Sequence, residues 1–510
     1  MKNKIIKTQI IVMLFMILGK VIGFLREIIL ASKFGTTYEM DTYSFNSTLL
    51  LFLATIGYAI TTTVIPLFTE LKDKEKFKEQ ERIVNNLISC VFIMGIAITI
   101  MSIVLSNVIV VLFAPGFTGE SFITARNLTI IMSFSIIFML IQSVITGVLQ
   151  ANGKFYTPAA MALIGNIVML IYLLFFVSKF GIIGFGYITV LAYFMQLLIN
   201  IPSYKKLGFK YYFYMNIKDE KIRTILRLSI SVIASTCIMQ VATFINNFYG
   251  SLIGEGSISI YNYANRLITL GIEIVPIGIS MVIYPILSKM GSNKNEKEFN
   301  RIFKEGITLI SIVIIPITIL MIILRVDIIK FLYERNSFTS ESTLVTSKML
   351  LFLAPVMLSG GIKDLLNKAC YSLNEVKIPM RVSILTIIIT ILVNLLLYKK
   401  IGISSLCIAT SVANVLGAIL TIVLVKKKFK FVNLNVSGSL IKISIASVLM
   451  GVIVYVTKGY LAIKLGTSML GTLGLLIISA IISIFIYMIL LIILNVREFK
   501  VLLNNKKYKL

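Results

Sequence analysis

Phe117-Thr118-Gly119-Glu120-Ser121 returns 221 positions later as Phe338-Thr339-Ser340-Glu341-Ser342. The same ungapped shift carries Pro158 onto Pro379, Lys179 onto Lys400, Gly181-Ile182 onto Gly402-Ile403 and Lys205-Lys206 onto Lys426-Lys427. Val64-Ile65-Pro66-Leu67-Phe68 matches Ile283-Tyr284-Pro285-Ile286-Leu287 more loosely at 219, so a small insertion or deletion separates the motifs. One shift that explains matches across so much of the chain marks an internal duplication. The halves are placed at 1–213 and 214–430, with 431–510 following them.

What is duplicated follows from composition. Of 510 residues, 58% are hydrophobic and 14% charged, and the mean hydropathy is +0.96, outside the range of water-soluble domains. A bilayer-spanning helix takes about 20 mostly apolar residues. The apolar runs place fourteen spans near 9–33, 42–68, 85–113, 124–151, 157–178, 182–203, 224–249, 257–288, 303–333, 344–373, 378–399, 403–425, 438–460 and 466–495. The expected fold is all-α and membrane-embedded: two six-span lobes plus two C-terminal helices. Six spans per half is an even number, so the halves share an orientation about an axis along the membrane normal. That arrangement permits alternating access by rocking and favours a transporter.

The formal charge is +27, and its distribution gives the topology. Lys and Arg gather before the first span (Lys2, Lys4, Lys7) and after the second (Lys72, Lys74, Lys76, Lys78, Arg82). They gather again after the sixth (Lys205, Lys206, Lys210, Lys218, Lys221, Arg223, Arg227), and after the eighth, twelfth and last spans. By the positive-inside rule both termini are cytoplasmic, in agreement with an even span count. These loops are read as topology signals and contacts for anionic membrane lipids, not as nucleic-acid sites. The first span carries Lys20, Arg26 and Glu27 and no cleavage site follows it, so it is read as retained.

The chain has no His, which excludes His-based acid–base catalysis and His-ligated metal. Cys90, Cys237, Cys370 and Cys407 show neither metal-ligand nor disulfide spacing and read as packing residues. There is no phosphate-binding loop or metal-ligand cluster. The expectation is a transporter, not an enzyme, with no cofactor.

Function is therefore sought in the charges inside spans, each of which costs about 2.5–3.5 kcal/mol at the bilayer centre. Lys20 lies 13 residues from Lys33, about 20 Å along a helix, and is expected buried near the midplane. Arg26, Asp41 and Arg266 fall in the outer half, and Glu273 is two turns deeper than Arg266. Lys363, Asp364 and Lys368 fall in the inner half, and Asp364 and Lys368 have ion-pair spacing, which leaves Lys363 without an obvious partner. Glu27 either neutralises Lys20 or Arg26 or joins a gate, and Asp41 either caps a helix or closes the outer gate by pairing with Arg26. The excess of positive charge predicts an anionic substrate. Gly360-Gly361 is either a hinge or a close-packing point.

Gly19-Lys20-Val21-Ile22-Gly23-Phe24-Leu25-Arg26-Glu27, then Phe34-Gly35 and Asp41, resembles the first-span signature of the MurJ (MviN) lipid II flippases of the MOP exporter superfamily. Tyr263-Ala264-Asn265-Arg266-Leu267 and Pro285-Ile286-Leu287-Ser288 resemble the eighth-span motifs of that family. The resemblance implies that Lys20, Arg26, Asp41 and Arg266 line a central cavity that holds the pyrophosphate of an undecaprenyl-linked sugar; the charge pattern adds Lys363 as a cargo contact and places Asp41 and Glu27 at the gate. Lys at 20 stands where the family has Arg and loses its bidentate fork. Phe52-Leu53 stands where the family usually has an arginine pair, and Thr269 stands where it often has an acid. Some members bind sodium through a carboxylate and Asn and Asp residues. This chain offers Asn246, Asn394 and Tyr398, and drive by membrane potential is preferred to sodium coupling.

The expected activity is transfer of lipid II from the inner to the outer leaflet of the bacterial plasma membrane, for peptidoglycan synthesis. Three other readings stay open at this point: another lipid-linked glycan such as an exopolysaccharide or teichoic-type unit, a MATE-like cation efflux pump, and a scaffold that binds cell-wall synthesis proteins.

Overall fold

Inside lipid every backbone amide must find its partner within its own segment, which makes the helix the element for an isolated apolar run. The computed structural model describes residues 2–74, 76–274, 276–432, 437–466, 468–496 and 498–499, and among them only helices occur as regular elements. Thirteen helical stretches are long and apolar enough to cross a membrane. The seventh expected span falls in a further helix of 34 residues, which is also long enough to cross. Of the basic C-terminal residues, Arg497, Lys500, Lys506, Lys507 and Lys509 lie outside the described residues.

The chain forms two compact units. The first, Met1–Ser259 with Arg335–Phe338, holds α1 (Lys2–Phe34), α2 (Tyr38–Asp73), α3 (Phe77–Val104), α4 (Ser106–Phe113), α5 (Gly119–Ser133), α6 (Ser135–Ala151), α7 (Tyr156–Phe175), α8 (Val177–Leu198), α9 (Ile201–Lys205), α10 (Glu220–Ile253) and the first residues of α11 (Ser257–Ile274). It therefore extends beyond 213, where the duplication ends its first half. The physical reason is that α10 packs on α2. Phe52 meets Phe244 edge-on at 5.3 Å, and the Thr63 and Ser229 hydroxyls lie 3.0 Å apart.

The second unit, Ile260–Glu334 with Thr339–Leu510, holds the rest of α11, α12 (Pro276–Ser292), α13 (Glu296–Ile323), α14 (Arg325–Tyr333), α15 (Ser340–Ser372), α16 (Lys377–Ile401), α17 (Ser404–Lys428), α18 (Ser437–Leu465) and α19 (Met469–Ile493). The last two helices share an apolar core with α13 built on Ile443, Met450, Val454, Leu475 and Leu491. The Tyr487 hydroxyl donates to the Ile312 carbonyl at 2.7 Å, and Lys458 of α18 pairs with Asp327 of α14 at 2.5 Å.

The duplication reappears in the backbone. Leu105 breaks α3 from α4 at φ −91°, ψ 8°, and Leu324, 219 residues on, breaks α13 from α14 at φ −94°, ψ 9°. At the shift of 221, Gly181 has φ 54°, ψ −151° and Gly402 has φ 57°, ψ −136°. The turn after α6 is closed by Gly153 N–H to Gln150 O and Lys154 N–H to Leu149 O; the turn after α15 is closed by Asn374 N–H to Tyr371 O and Glu375 N–H to Cys370 O. Gly153 and Asn374 both have positive φ, so each turn is the left-handed helix stop that favours Gly or Asn. Phe117 and Phe338, which open the repeated motif, are both buried.

Gly360 and Gly361 lie inside the unbroken α15. A Cβ on Gly360 would stand 2.9 Å from Ile272 Cδ1, and one on Gly361 would stand 3.0 Å from Pro276 Cγ. The pair is a close-packing point. Cys370 and Cys407 are buried, Cys90 and Cys237 partly so, and all four are free thiols.

Candidate functional site

In the first unit the site begins with how α1 is held. Gly19 and Gly23, one turn apart, let α7 come in close: a Cβ at 19 would stand 3.3 Å from Ala162 Cβ, and one at 23 would stand 3.0 Å from Asn166 Nδ2. Small residues at i and i+4 are the usual device for close helix contact in membranes. Asn166 Nδ2 uses that approach to donate to the Gly19 carbonyl at 3.1 Å.

Arg26 lies on the next turns of α1. Its Nη1 donates to Asn166 Oδ1 at 3.0 Å and to Met169 Sδ at 3.1 Å, while Nη2 stands 3.6 Å from Glu27. Its Nε is buried and makes no hydrogen bond among the described residues. A guanidinium has five donors, so the amide and the thioether fix one edge of this one, Glu27 stands beside the other terminal nitrogen, and donors are left over. Lys20 lies on the protein surface and not in a helix contact, because Gly19 and Gly23 turn their own face of α1 to α7 and position 20 projects about 100° away from Gly19.

Asp41 is 1% exposed. Its Oδ2 accepts the Gly256 amide at 2.7 Å and its Oδ1 accepts the Ser259 amide at 2.7 Å. Both oxygens are thus taken by the first turn of α11 and not by Arg26. The carboxylate caps a helix, as one sequence reading had it, but a helix 216 positions further along the chain. Gly256 has φ +81°, and a Cβ there would stand 2.6 Å from the Thr36 carbonyl oxygen. Beside it the Tyr38 amide donates to Glu255 at 2.9 Å, so the connection from α10 to α11 is clamped onto the start of α2. Gly35, at φ +57°, lies with its Cβ position 2.2 Å from the Ser337 carbonyl oxygen. That approach is closed by Ser337 N–H donating to Ser32 O at 3.1 Å. Asn246, on α10, is buried.

In the second unit Arg266 and Glu273 lie on α11, both partly buried. Lys363, on α15, is partly buried; its Nζ lies 3.3 Å from where a Cβ of Gly417 on α17 would stand, with Thr386 Oγ1 at 2.8 Å from the same point. Gly417 thus leaves the notch that the ammonium occupies. Asp364 pairs with Lys368 at 2.9 Å, the helical ion pair that the spacing predicts. Asn394 is fully buried on α16; its Nδ2 donates to the Thr390 carbonyl at 3.0 Å, and its Oδ1 accepts no hydrogen bond among the described residues. That oxygen is a hard donor of the kind sodium takes. Asn246 and Asn394 belong to different units.

Asn166, Met169, Thr386 and Gly417 were not found from the sequence. The Gly19–Gly23 spacing was the one available signal, since it marks the face of α1 that meets a neighbour. Nothing in the sequence says which neighbour.

At the cytoplasmic end expected from the basic loops, Glu375 is 5% exposed. It accepts the Ile378 amide at 3.1 Å and a hydrogen bond from Lys428. The Lys428 bond is the main cause that holds its carboxyl below the usual range.

The family model for "Lipid II flippase MurJ" matches residues 30–476. Among curated relatives, a "Probable lipid II flippase MurJ" from Buchnera aphidicola subsp. Schizaphis graminum is 26% identical over 80% of this chain and 81% of its own length. A "Lipid II flippase MurJ" from Thermosipho africanus is 27% identical over 86% and 88%. Among solved structures, "Lipid II flippase MurJ, inward closed conformation" aligns with TM-score 0.80 and 26% identity over 94% of this chain and 98% of that one. An inward-facing multidrug resistance MATE family transporter of the MOP superfamily aligns with TM-score 0.69 at 13% identity over 83% and 98%, a likeness of fold.

Proposed function

The chain belongs to the lipid II flippase MurJ family, and from that premise we propose that it carries lipid II from the inner to the outer leaflet by alternating access. It is a multi-pass protein of the bacterial inner membrane, with both termini assigned to the cytoplasm by the positive-inside pattern. The cargo moves without a covalent change in this reading, so no catalytic residue is assigned.

The observation that carries the reading is Arg26. A cation in a span is costly, and this one has a neutral amide, a thioether and, at 3.6 Å, the Glu27 carboxylate as partners, with its Nε buried and making no hydrogen bond among the described residues. Charge-assisted hydrogen bonds to a diphosphate offset that cost. Lys20 in the first unit, and Arg266 and Lys363 in the second, are proposed as further cargo contacts. Asp41, whose oxygens hold α11, and Glu27 are proposed as gate elements. An outward-moving anion gains about 2.3 kcal/mol per charge per 100 mV from a cell-negative interior if the charge crosses the field. Drive by membrane potential is therefore preferred to sodium coupling, for which Asn246 and Asn394 are the candidate ligands, each in its own unit. Flipping that stops when sodium is withdrawn at constant potential would reverse that preference.

One observation favours a second reading, in which the cargo is another lipid-linked glycan. Phe52, where the family usually has an arginine, is engaged with Phe244. The experiment is depletion of the resident lipid II flippase in a bacterial host that expresses this chain, with growth and outer-leaflet lipid II as readouts. Rescue that is lost in Arg26→Ala supports lipid II; no rescue despite membrane expression moves the assignment to another lipid-linked glycan.

A further inference from the structure

The first unit holds a cleft of about 940 Å³, lined on its apolar walls by Ile88 and Phe92 of α3, Ile141 and Ile145 of α6, and Leu197 and Ile201 at the end of α8 and on α9. This is near the upper end of ordinary ligand sites, about 300–1,000 Å³. Its chemistry changes along its length. Phe92 lies 15 residues into α3, about 22 Å from the start of that helix, and the wall there is hydrocarbon. At the other end the lining is Tyr204, Lys205, Gly208, Lys210 and Tyr211.

The polar end is built. Gly208 at φ +88° turns the chain over Phe77, and Phe209 stacks on that ring at 4.9 Å. The Lys210 amide donates to Glu81 at 2.7 Å, and its carbonyl accepts from Asn85 at 2.9 Å, so Lys210 is fixed by its backbone and its ammonium is left exposed beside Lys205. Glu81 is the acid at this end, against the two lining cations Lys205 and Lys210. Tyr204 is 6% exposed, and its hydroxyl is buried with no hydrogen bond among the described residues. A buried hydroxyl without an acceptor costs about 1–3 kcal/mol, and that cost disappears if a ligand oxygen completes it.

We propose that this cleft binds one anionic phospholipid of the phosphatidylglycerol class. One acyl chain lies along Ile88, Phe92, Ile141 and Ile145, the phosphate lies between Lys205 and Lys210, and an ester or phosphate oxygen accepts the Tyr204 hydroxyl. The polarity gradient matches one half of a bilayer, apolar toward the midplane and cationic at the rim, and the basic rim is on the leaflet rich in anionic lipid by the positive-inside rule. Neither Lys20 nor Arg26 is among the residues that line the cleft.

The test is native mass spectrometry of the delipidated full chain with phosphatidylglycerol and phosphatidylcholine of matched acyl chains. The expected result is one phosphatidylglycerol retained in preference to phosphatidylcholine. In Lys205→Gln/Lys210→Gln the preference falls roughly tenfold to thirtyfold. Tyr204→Phe lowers retention of both lipids alike, since both carry the ester and phosphate oxygens, and leaves the preference in place; the preference is also unchanged in Lys206→Gln, whose side chain is outside the cleft lining. Equal retention of the two lipids overturns the proposal, as does an equal loss in Lys206→Gln, which would mean diffuse surface charge. Competition by glycerol phosphate at matched concentration would make it an anion site without a chain, and displacement by undecaprenyl phosphate at matched concentration would make it a cargo site; either overturns it. Because the readout is lipid retention, failure here leaves the flippase assignment standing, and failure of rescue in the depletion experiment leaves this site standing.

Discussion

Asn166 on α7 accepts from Arg26 Nη1 at 3.0 Å and donates to the Gly19 carbonyl at 3.1 Å, so one amide ties two turns of α1 to α7 and aims the guanidinium between them. The orientation of the amide is thereby determined: its oxygen faces the cation and its nitrogen the carbonyl.

Arg26→Ala is expected to abolish rescue in the flippase-depletion assay. Arg26→Lys keeps the charge but, as a compact ammonium, loses the planar fork that Asn166 and Met169 hold, so its flipping rate should fall about tenfold or more, as for loss of roughly 1.5–3 kcal/mol in a charged hydrogen bond. Asn166→Leu should lower the rate in the same direction with the charge intact. Flipping at the unaltered rate in both Arg26→Lys and Asn166→Leu would show that the held geometry is unimportant.

Asp41→Ala removes the acceptor for two amides on the first turn of α11. Each buried donor left unsatisfied costs about 1–3 kcal/mol, so the melting temperature should fall clearly. Asp41→Asn keeps one acceptor oxygen and should lie between. An unchanged melting temperature in Asp41→Ala would mean that water replaces the carboxylate.

Gly181 has nothing within 4 Å of its Cβ position, so Gly181→Ala tests backbone conformation alone. At φ 54°, ψ −151° the residue is in a region kept to glycine, and substitution should cost about 1–3 kcal/mol. Gly402→Ala should cost the same, and Asn should rescue neither. Gly153→Asn, by contrast, should be tolerated, because the matching turn already carries Asn374. Thermal unfolding of the five variants separates these outcomes.

Glu375 supplies an acid-dependent strap between the end of α17 and the start of α16. Its carboxyl is held below the usual range by the Lys428 hydrogen bond, so in the folded protein it keeps its charge to lower pH than in the unfolded chain. The stabilisation is fully present above the unfolded value, about 4.3, and is lost as pH falls through the lower folded value. Glu375→Gln should be less stable than the unaltered chain at pH 7 and should lose less on acidification. Parallel acid profiles of the two chains would remove Glu375 as the strap.

The sequence by itself determined the all-helical membrane fold and the duplication. Hydropathy fixes where a chain can cross a bilayer, and the shift of 221 turned out to be written into the backbone as well, in Gly181 and Gly402 and in the paired turns at 153 and 374. It also marked Lys20, Arg26, Asp41, Arg266 and Lys363, because a charge in an apolar run is visible without knowing what surrounds it. What only the tertiary structure decided is where each charge is directed. Asp41 ended on amides at 256 and 259, Lys20 on the exposed face of α1, Lys363 in the notch beside Gly417, and α10 with the first unit and not the second. Each of these depends on which helix comes to lie against which, and that is set by side-chain packing between segments far apart in the chain, a relation that periodicity within one helix does not encode.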